Sequence, residues 1–118
     1  MKRFFIITLV ALTVIASYLS WQYNRTLITI ENVSGETMED VIIEVRNNLI
    51  EIKGVPTNQK RSFVLEKEFG ESGVKLTYTV SGEKRYWEGG YIESSGGYRA
   101  LLEVKEDHSV DFQVSSPF

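Results

Sequence analysis

Hydrophobic and polar residues alternate along most of this chain. From Thr26 onward, apolar residues recur at every second position, and Gly, Asn, Ser or Pro interrupts the alternation at intervals of about 8 to 12 residues. This pattern is typical of antiparallel strands that have one buried face and one wet face and are joined by turns. The clearest example is residues 74–80, in which Val74, Leu76, Tyr78 and Val80 alternate with polar residues.

The alternation predicts an all-β fold of seven to eight short strands. Strands of this length with one apolar side suit a single antiparallel β-sandwich, in which each sheet covers the apolar face of the other. We expect this domain to occupy residues 26–115, with a short tail at 116–118. The predicted strands are 26–31, 40–46, 49–53, 60–67, 74–80, 85–92, 98–105 and 110–114.

The first residues follow a different pattern. Residues 4–21 carry no charge and follow Met1-Lys2-Arg3, as in a signal peptide or a membrane anchor. As a helix the run would measure roughly 27 Å, slightly less than the ~30 Å hydrocarbon core of a bilayer. A signal peptidase could cut after Ala16. Aromatic residues at the far end favour retention as an anchor at a membrane interface; they are Tyr18, Trp21 and Tyr23.

Both interpretations predict the same orientation. Lys2 and Arg3, in the basic start at residues 1–3, would remain in the cytoplasm, and the chain beyond the linker at 22–25 would be delivered outside. We therefore expect a single-pass protein of the bacterial inner membrane with the bilayer as a partner. The alternative is a cleaved protein released into the periplasm.

Composition narrows the possible functions. The chain has 118 residues, a net charge of −3 and no cysteine. Setting aside Lys2 and Arg3 leaves about −5, and no long basic run follows, so a nucleic-acid partner is not expected. Without cysteine there is no disulfide, no thiolate ligand for a metal and no lipid attachment through an N-terminal cysteine.

The sequence offers little catalytic chemistry. Asp107-His108-Ser109 places three catalytic residue types side by side, but a working triad is assembled from separate segments, so these residues are predicted to form a turn. The acidic clusters do not have the spacing of a calcium loop; they are Glu36/Glu39/Asp40 and Glu66/Glu68/Glu71. We expect no enzyme activity, no catalytic or cofactor residues and no metal site.

Aromatic residues near a pair of glycines form the candidate binding surface. An aromatic platform beside small residues could hold a sugar ring or an extended peptide. Simple alternation would put Trp87 and Tyr91 on one face and Tyr86 on the other, unless a bulge at Gly89 resets the register. Trp87 could instead be buried in the core. The four candidates are Tyr86, Trp87, Tyr91 and Tyr98.

The opening of the domain resembles a known family. Residues 28–45 read ITIENVSGETMEDVIIEV, in which a strand ends in Asn-x-Ser-Gly and the next begins with an apolar residue, Met38, three before the Val-containing run that starts at Val41. This stretch is similar to the opening of immunoglobulin-like domains of bacterial envelope proteins. The resemblance covers about 18 residues, implies a sandwich in the cell envelope, and assigns no functional site.

These observations together predict a non-catalytic, membrane-tethered, outward-facing β-sandwich that binds or supports another component of the cell envelope, most simply a protein. One alternative is an envelope inhibitor or immunity-type protein that neutralises a basic target through its acidic surface. A second alternative is a secreted binder of carbohydrate or peptide, released after signal cleavage.

Overall fold

The chain begins with one helix, followed by strands. A computed structural model describes residues 2–23, 25–67, 69–93 and 97–115. Helix α1 spans Lys2–Tyr23, and every side chain from residue 5 to residue 19 is exposed. In the described part of the chain, no helix meets the length and apolarity that crossing a membrane requires. The side chains of Trp21 and Tyr23, the predicted linker residue 24 and the predicted tail 116–118 lie outside the described parts.

Eight strands follow the helix, and their positions confirm the strands predicted from alternation. Each predicted strand overlaps an observed one, with ends that differ by a few residues. The strands are β1 (Leu27–Asn32), β2 (Met38–Val45), β3 (Asn48–Val55), β4 (Gln59–Val64), β5 (Glu71–Val80), β6 (Glu83–Glu93), β7 (Arg99–Val104) and β8 (Val110–Ser115).

The strands form two four-stranded sheets. The strand order is β4-β1-β7-β8 in the first sheet, here called sheet A, and β3-β2-β5-β6 in the second, here called sheet B. Neighbouring strands are antiparallel except β1 and β7, which are parallel, with Leu27 opposite Arg99 and Asn32 opposite Val104. The prediction of a purely antiparallel arrangement is wrong at this pair, because β1 lies between β4 and β7 and runs in the same direction as β7.

The strand order also differs from that of an immunoglobulin domain. In that fold the first two strands are neighbours in one sheet. Here β1 and β2 lie in different sheets, and each strand pairs instead with partners from later in the chain. The immunoglobulin-like arrangement is therefore not confirmed, while a domain of two β-sheets is.

Buried side chains from both sheets form one core. Alternate residues of β1 and β7 in sheet A, and of β2 and β5 in sheet B, are almost completely excluded from solvent. Burying each such side chain contributes roughly 1.5 to 3 kcal/mol. The largest fully buried side chains include Tyr78, Ile28, Ile30, Met38, Ile43, Leu76, Ile92 and Leu102.

A buried amide fixes the crossing between the sheets. Asn32, at the end of β1, is fully buried, and its Nδ2 donates to the carbonyls of Glu36 and Val55 at 2.7 and 2.8 Å. Its Oδ1 accepts from the backbone N and the Oγ of Ser34 at 3.0 and 2.6 Å. One side chain therefore joins the end of β1, the β1–β2 loop and the end of β3, and its hydrogen-bonding groups are fully used.

Candidate functional site

A bulge in β6 decides which side chains face outward. On β5, Val74 lies opposite Gly89 and Ser72 lies opposite Ile92, so three steps along β6 match two steps along β5. The extra residue resets the alternation of the strand. Gly90 has a φ of 73°, a left-handed conformation that glycine adopts without steric cost.

Because of this bulge, both exposed tyrosines of β6 lie on the outer face of sheet B. Tyr86 and Glu88 precede the bulge, Tyr91 and Glu93 follow it, and the side chain of Ile92 between the last two is buried. Tyr86 is 60% exposed and Tyr91 is 54% exposed. We call the surface formed by Tyr86, Glu88, Tyr91 and Glu93 the tyrosine–glutamate face.

Each tyrosine of this face donates a hydrogen bond to the glutamate two residues later. The phenol of Tyr86 donates to Glu88 Oε2 at 2.5 Å, and that of Tyr91 donates to Glu93 Oε1 at 2.7 Å. The hydrogen bond to each carboxylate raises the pKa of the phenol, since it stabilises the protonated form. Each bond joins an exposed ring to the carboxylate beside it on the same face of the strand.

Further carboxylates surround the tyrosine–glutamate face. Glu71 of β5 lies directly opposite Glu93 in the strand register, and its charge adds to the rise in the pKa of Tyr91. Glu44 of β2 lies close enough to raise the pKa of Tyr86 by its charge. Within the described residues, the ion pairs are Arg85–Glu83 and Lys105–Asp111, neither of which involves these glutamates. Lys75 of β5 lies opposite both Glu88 and Glu44 in the register, so the two carboxylates that face each other with no basic residue opposite them are Glu71 and Glu93.

Titration of Tyr91 would test this geometry. We expect its phenol to lose its proton well above the ordinary value of about 10, because Glu93 accepts its hydrogen bond and the charge of Glu71 disfavours the phenolate. Glu93→Gln should lower the pKa of Tyr91, whereas Glu106→Gln, in the exposed β7–β8 turn, should leave it unchanged. NMR of the ring carbons as a function of pH measures both. An ordinary pKa for Tyr91 in the unaltered protein would contradict the hydrogen bond.

The other two aromatic candidates lie elsewhere. Trp87 is half-buried against the core and stacks on Phe112 of β8, with ring centroids 5.9 Å apart. Tyr98 is half-buried just before β7, and its carbonyl accepts a hydrogen bond from the backbone N of Leu27. The structure therefore brings Tyr86 and Tyr91 together on one outer face, while Trp87 packs between the sheets.

The residues that suggested catalysis form a turn. Asp107 Oδ1 accepts hydrogen bonds from the backbone N and the Oγ of Ser109, at 3.0 and 2.6 Å, and these bonds lower the pKa of Asp107. His108 has a φ of 63°, and its backbone N donates to the carbonyl of Lys105. The prediction of a turn at these residues is confirmed. Among the described residues, no cluster of His, Cys, Asp or Glu could hold a metal ion.

A groove of about 920 Å³ opens between the edge strands β3 and β4. Its apolar lining includes Leu49, Ile50 and Phe63. At its mouth, the side chain of Asn48 donates to the carbonyl of Lys67 at 2.9 Å and accepts from the backbone N of Lys67 at 3.1 Å. These two hydrogen bonds join the start of β3 to Lys67, in the connection between β4 and β5.

The carboxylates of the face were not among the residues selected from the sequence. Their signal is a repeat of Tyr-x-Glu, in Tyr86-Trp87-Glu88 and Tyr91-Ile92-Glu93, which places a donor and an acceptor on the same face of a strand. Glu71 and Glu44 come from other strands and join the face only through the register of sheet B. No local pattern in the sequence assigns these two residues to the face.

The fold and this face define an all-β domain with an exposed aromatic and acidic surface. No family model matches the chain, and no curated protein matches it. A solved structure described as the NMR structure of the protein from Eubacterium rectale is similar, with a TM-score of 0.51 and 19% identity over 80% of this chain and 89% of that chain. At this level of identity, the likeness shows a shared fold.

Proposed function

We propose that this protein is a non-catalytic binding domain at the outer side of a bacterial membrane, where it holds a protein partner through the tyrosine–glutamate face. The observation that carries the proposal is the pair of exposed rings, Tyr86 and Tyr91, set on one face of a sheet by a bulge. Tyrosines offer a large contact area at a low entropic cost, which suits a binding surface. The groups that first suggested catalysis serve a turn instead.

The helix supports the location in this proposal. Its large apolar side chains between Phe5 and Leu19 are each more than half exposed, which exposes far more apolar surface than a monomer in water usually does. Two basic residues, Lys2 and Arg3, lie at its start and are followed by an uncharged run, the arrangement of an export signal or anchor. Delivery to a membrane gives this surface an apolar environment.

The intact mass of the protein from fractionated cells, combined with a carbonate wash of the membranes, tests the location. A full-length chain that resists the wash would mean that α1 is retained as an anchor. A chain that begins at Ser17 in the periplasm would mean that α1 is a cleaved leader. A full-length chain in the cytoplasmic fraction would contradict delivery across the membrane in either form.

Crosslinking in intact cells tests the binding surface. We expect Tyr86→Ser/Tyr91→Ser to abolish capture of the partner while the urea midpoint of unfolding changes little, because both rings are exposed. Leu49→Ser is the matched control, since Leu49 is 59% exposed on a different edge strand of the same sheet. Equal capture by the double variant and the control would contradict a role for the two tyrosines.

A further inference from the structure

The charge on the tyrosine–glutamate face indicates what kind of partner it binds. Glu71 and Glu93 lie directly opposite each other on neighbouring strands, and like charges in that position destabilise a sheet. The phenol of Tyr91 donates its hydrogen bond to Glu93, and Glu71 lies opposite Glu93 on the neighbouring strand. A cation placed between the two carboxylates would remove their repulsion.

We propose that this face binds an extended, arginine-containing segment of a partner protein. The proposal rests on the proposed function and adds the chemistry of the partner. A guanidinium can lie flat on a tyrosine ring and at the same time donate hydrogen bonds to a carboxylate, which a lysine ammonium does less well. Tyr91 with Glu93, and Tyr86 with Glu88, each supply one ring and one carboxylate two residues apart.

The spacing of the face suits an extended chain. Residues on one face of a regular strand lie roughly 7 Å apart, which is the spacing expected in the partner and within each of the pairs Tyr86–Glu88 and Tyr91–Glu93 on either side of the bulge. A segment running alongside β6 would direct alternate side chains at successive members of the face. β6 is the last strand of sheet B, so its edge away from β5 has no neighbouring strand within that sheet. The bulge at Gly90 interrupts the regular ladder, so the side chains of the face carry more of the recognition than backbone pairing does.

The test uses the full chain in nonionic detergent and a fluorescent ten-residue peptide that alternates arginine and serine. We expect binding that weakens as salt is added. Glu71→Gln/Glu93→Gln should weaken it at least about tenfold, because both charge-assisted contacts are lost. The same substitution should leave the urea midpoint unchanged or raised, since it removes the repulsion between the two glutamates. Loss of binding without loss of stability excludes unfolding as the cause.

Two controls make the result specific. Glu83→Gln/Glu106→Gln removes two exposed charges, one at the first residue of β6, where it pairs with Arg85, and one in the β7–β8 turn, and should change the affinity less than about twofold. Tyr91→Phe keeps the ring and should bind nearly as well as the unaltered chain, whereas Tyr91→Ser should bind about two- to fivefold more weakly.

Three results of the peptide-binding assay would overturn the proposal. They are an absence of peptide binding, equal weakening by the two double glutamine variants, and equal binding of a peptide with glutamate in place of arginine. If light scattering shows a dimer that Glu71→Gln/Glu93→Gln dissociates, a second copy of the chain occupies the face and the proposal is wrong. Cellular crosslinking through Tyr86 and Tyr91 together with failed peptide binding would refute the arginine chemistry alone. Failure of the crosslinking would refute the proposed function itself.

Discussion

Replacing Gly90 by alanine is expected to lower the free energy of unfolding by about 2 to 4 kcal/mol. Two costs combine at this position. The φ of 73° is a left-handed conformation that an alanine adopts only with strain. An added Cβ would also come within 2.6 to 2.8 Å of the ring of Phe112, which is held by its stacking on Trp87. Urea unfolding of the full chain in detergent measures the loss.

Two other glycines separate these costs. Gly82 has a φ of 78° and no atom within 4 Å of an added Cβ, so Gly82→Ala should show the backbone strain alone, about 1 kcal/mol. Gly73 has an ordinary φ, and its nearest contact is 3.7 Å away, so Gly73→Ala should be nearly neutral. Shortening Phe112 to leucine in the Gly90→Ala background should recover part of the loss. Equal stability of the Gly90 and Gly73 variants would contradict the bulge as described.

The second large effect is expected at Asn32. Asn32→Ala should lower the free energy of unfolding by about 2 to 4 kcal/mol, because it leaves buried partners without their hydrogen bonds. The carbonyl of Val55 loses its donor, and the backbone N and Oγ of Ser34 lose their acceptor. The loop between β1 and β2 should also lose protection from hydrogen exchange, since the amide joins that loop to β3.

The matched control for Asn32 lies on the same strand. Thr29 Oγ1 and Ser62 Oγ are hydrogen-bonded at 2.8 Å on the exposed side of sheet A. Thr29→Ala should cost less than about 1 kcal/mol, because water replaces an exposed hydrogen bond. If the two substitutions cost the same, burial of the amide is not what makes Asn32 important.

Local patterns in the sequence predicted the strands well but not their partners. The alternation around Val74 and Tyr78 depends only on which side of a strand faces the core, and it survives in any sheet. The pairing of β1 with β7 joins segments far apart in the chain, and no periodicity records it. The resemblance over residues 28–45 described a turn and a core, which domains with different strand orders share, so it did not fix the strand order.

The candidate site was predictable only in part, because alternation shows which residues share a face only where the strand is regular. Regular alternation puts Tyr86 and Tyr91, which are five residues apart, on opposite faces of the strand. Only a bulge between them could bring them to the same face. The two glycines at 89 and 90 permitted that bulge, but they are equally compatible with a regular strand that weakens locally. Trp87 and Ile92 both face inward but are five residues apart, whereas inward positions of a regular strand are an even number of residues apart, so one extra residue is needed between them.

The position of β1 in the middle of sheet A has a consequence for the order in which the chain folds. Leu27 needs Val64 on one side and Arg99 on the other, and the second partner comes about 70 residues later. Pairings of such long range are reached slowly, typically in milliseconds to seconds, since loop closure precedes any gain from contact. Sheet A therefore cannot close around its first strand until β7 has been synthesised. Under the export proposed above, this delay would keep sheet A open until β7 has crossed the membrane.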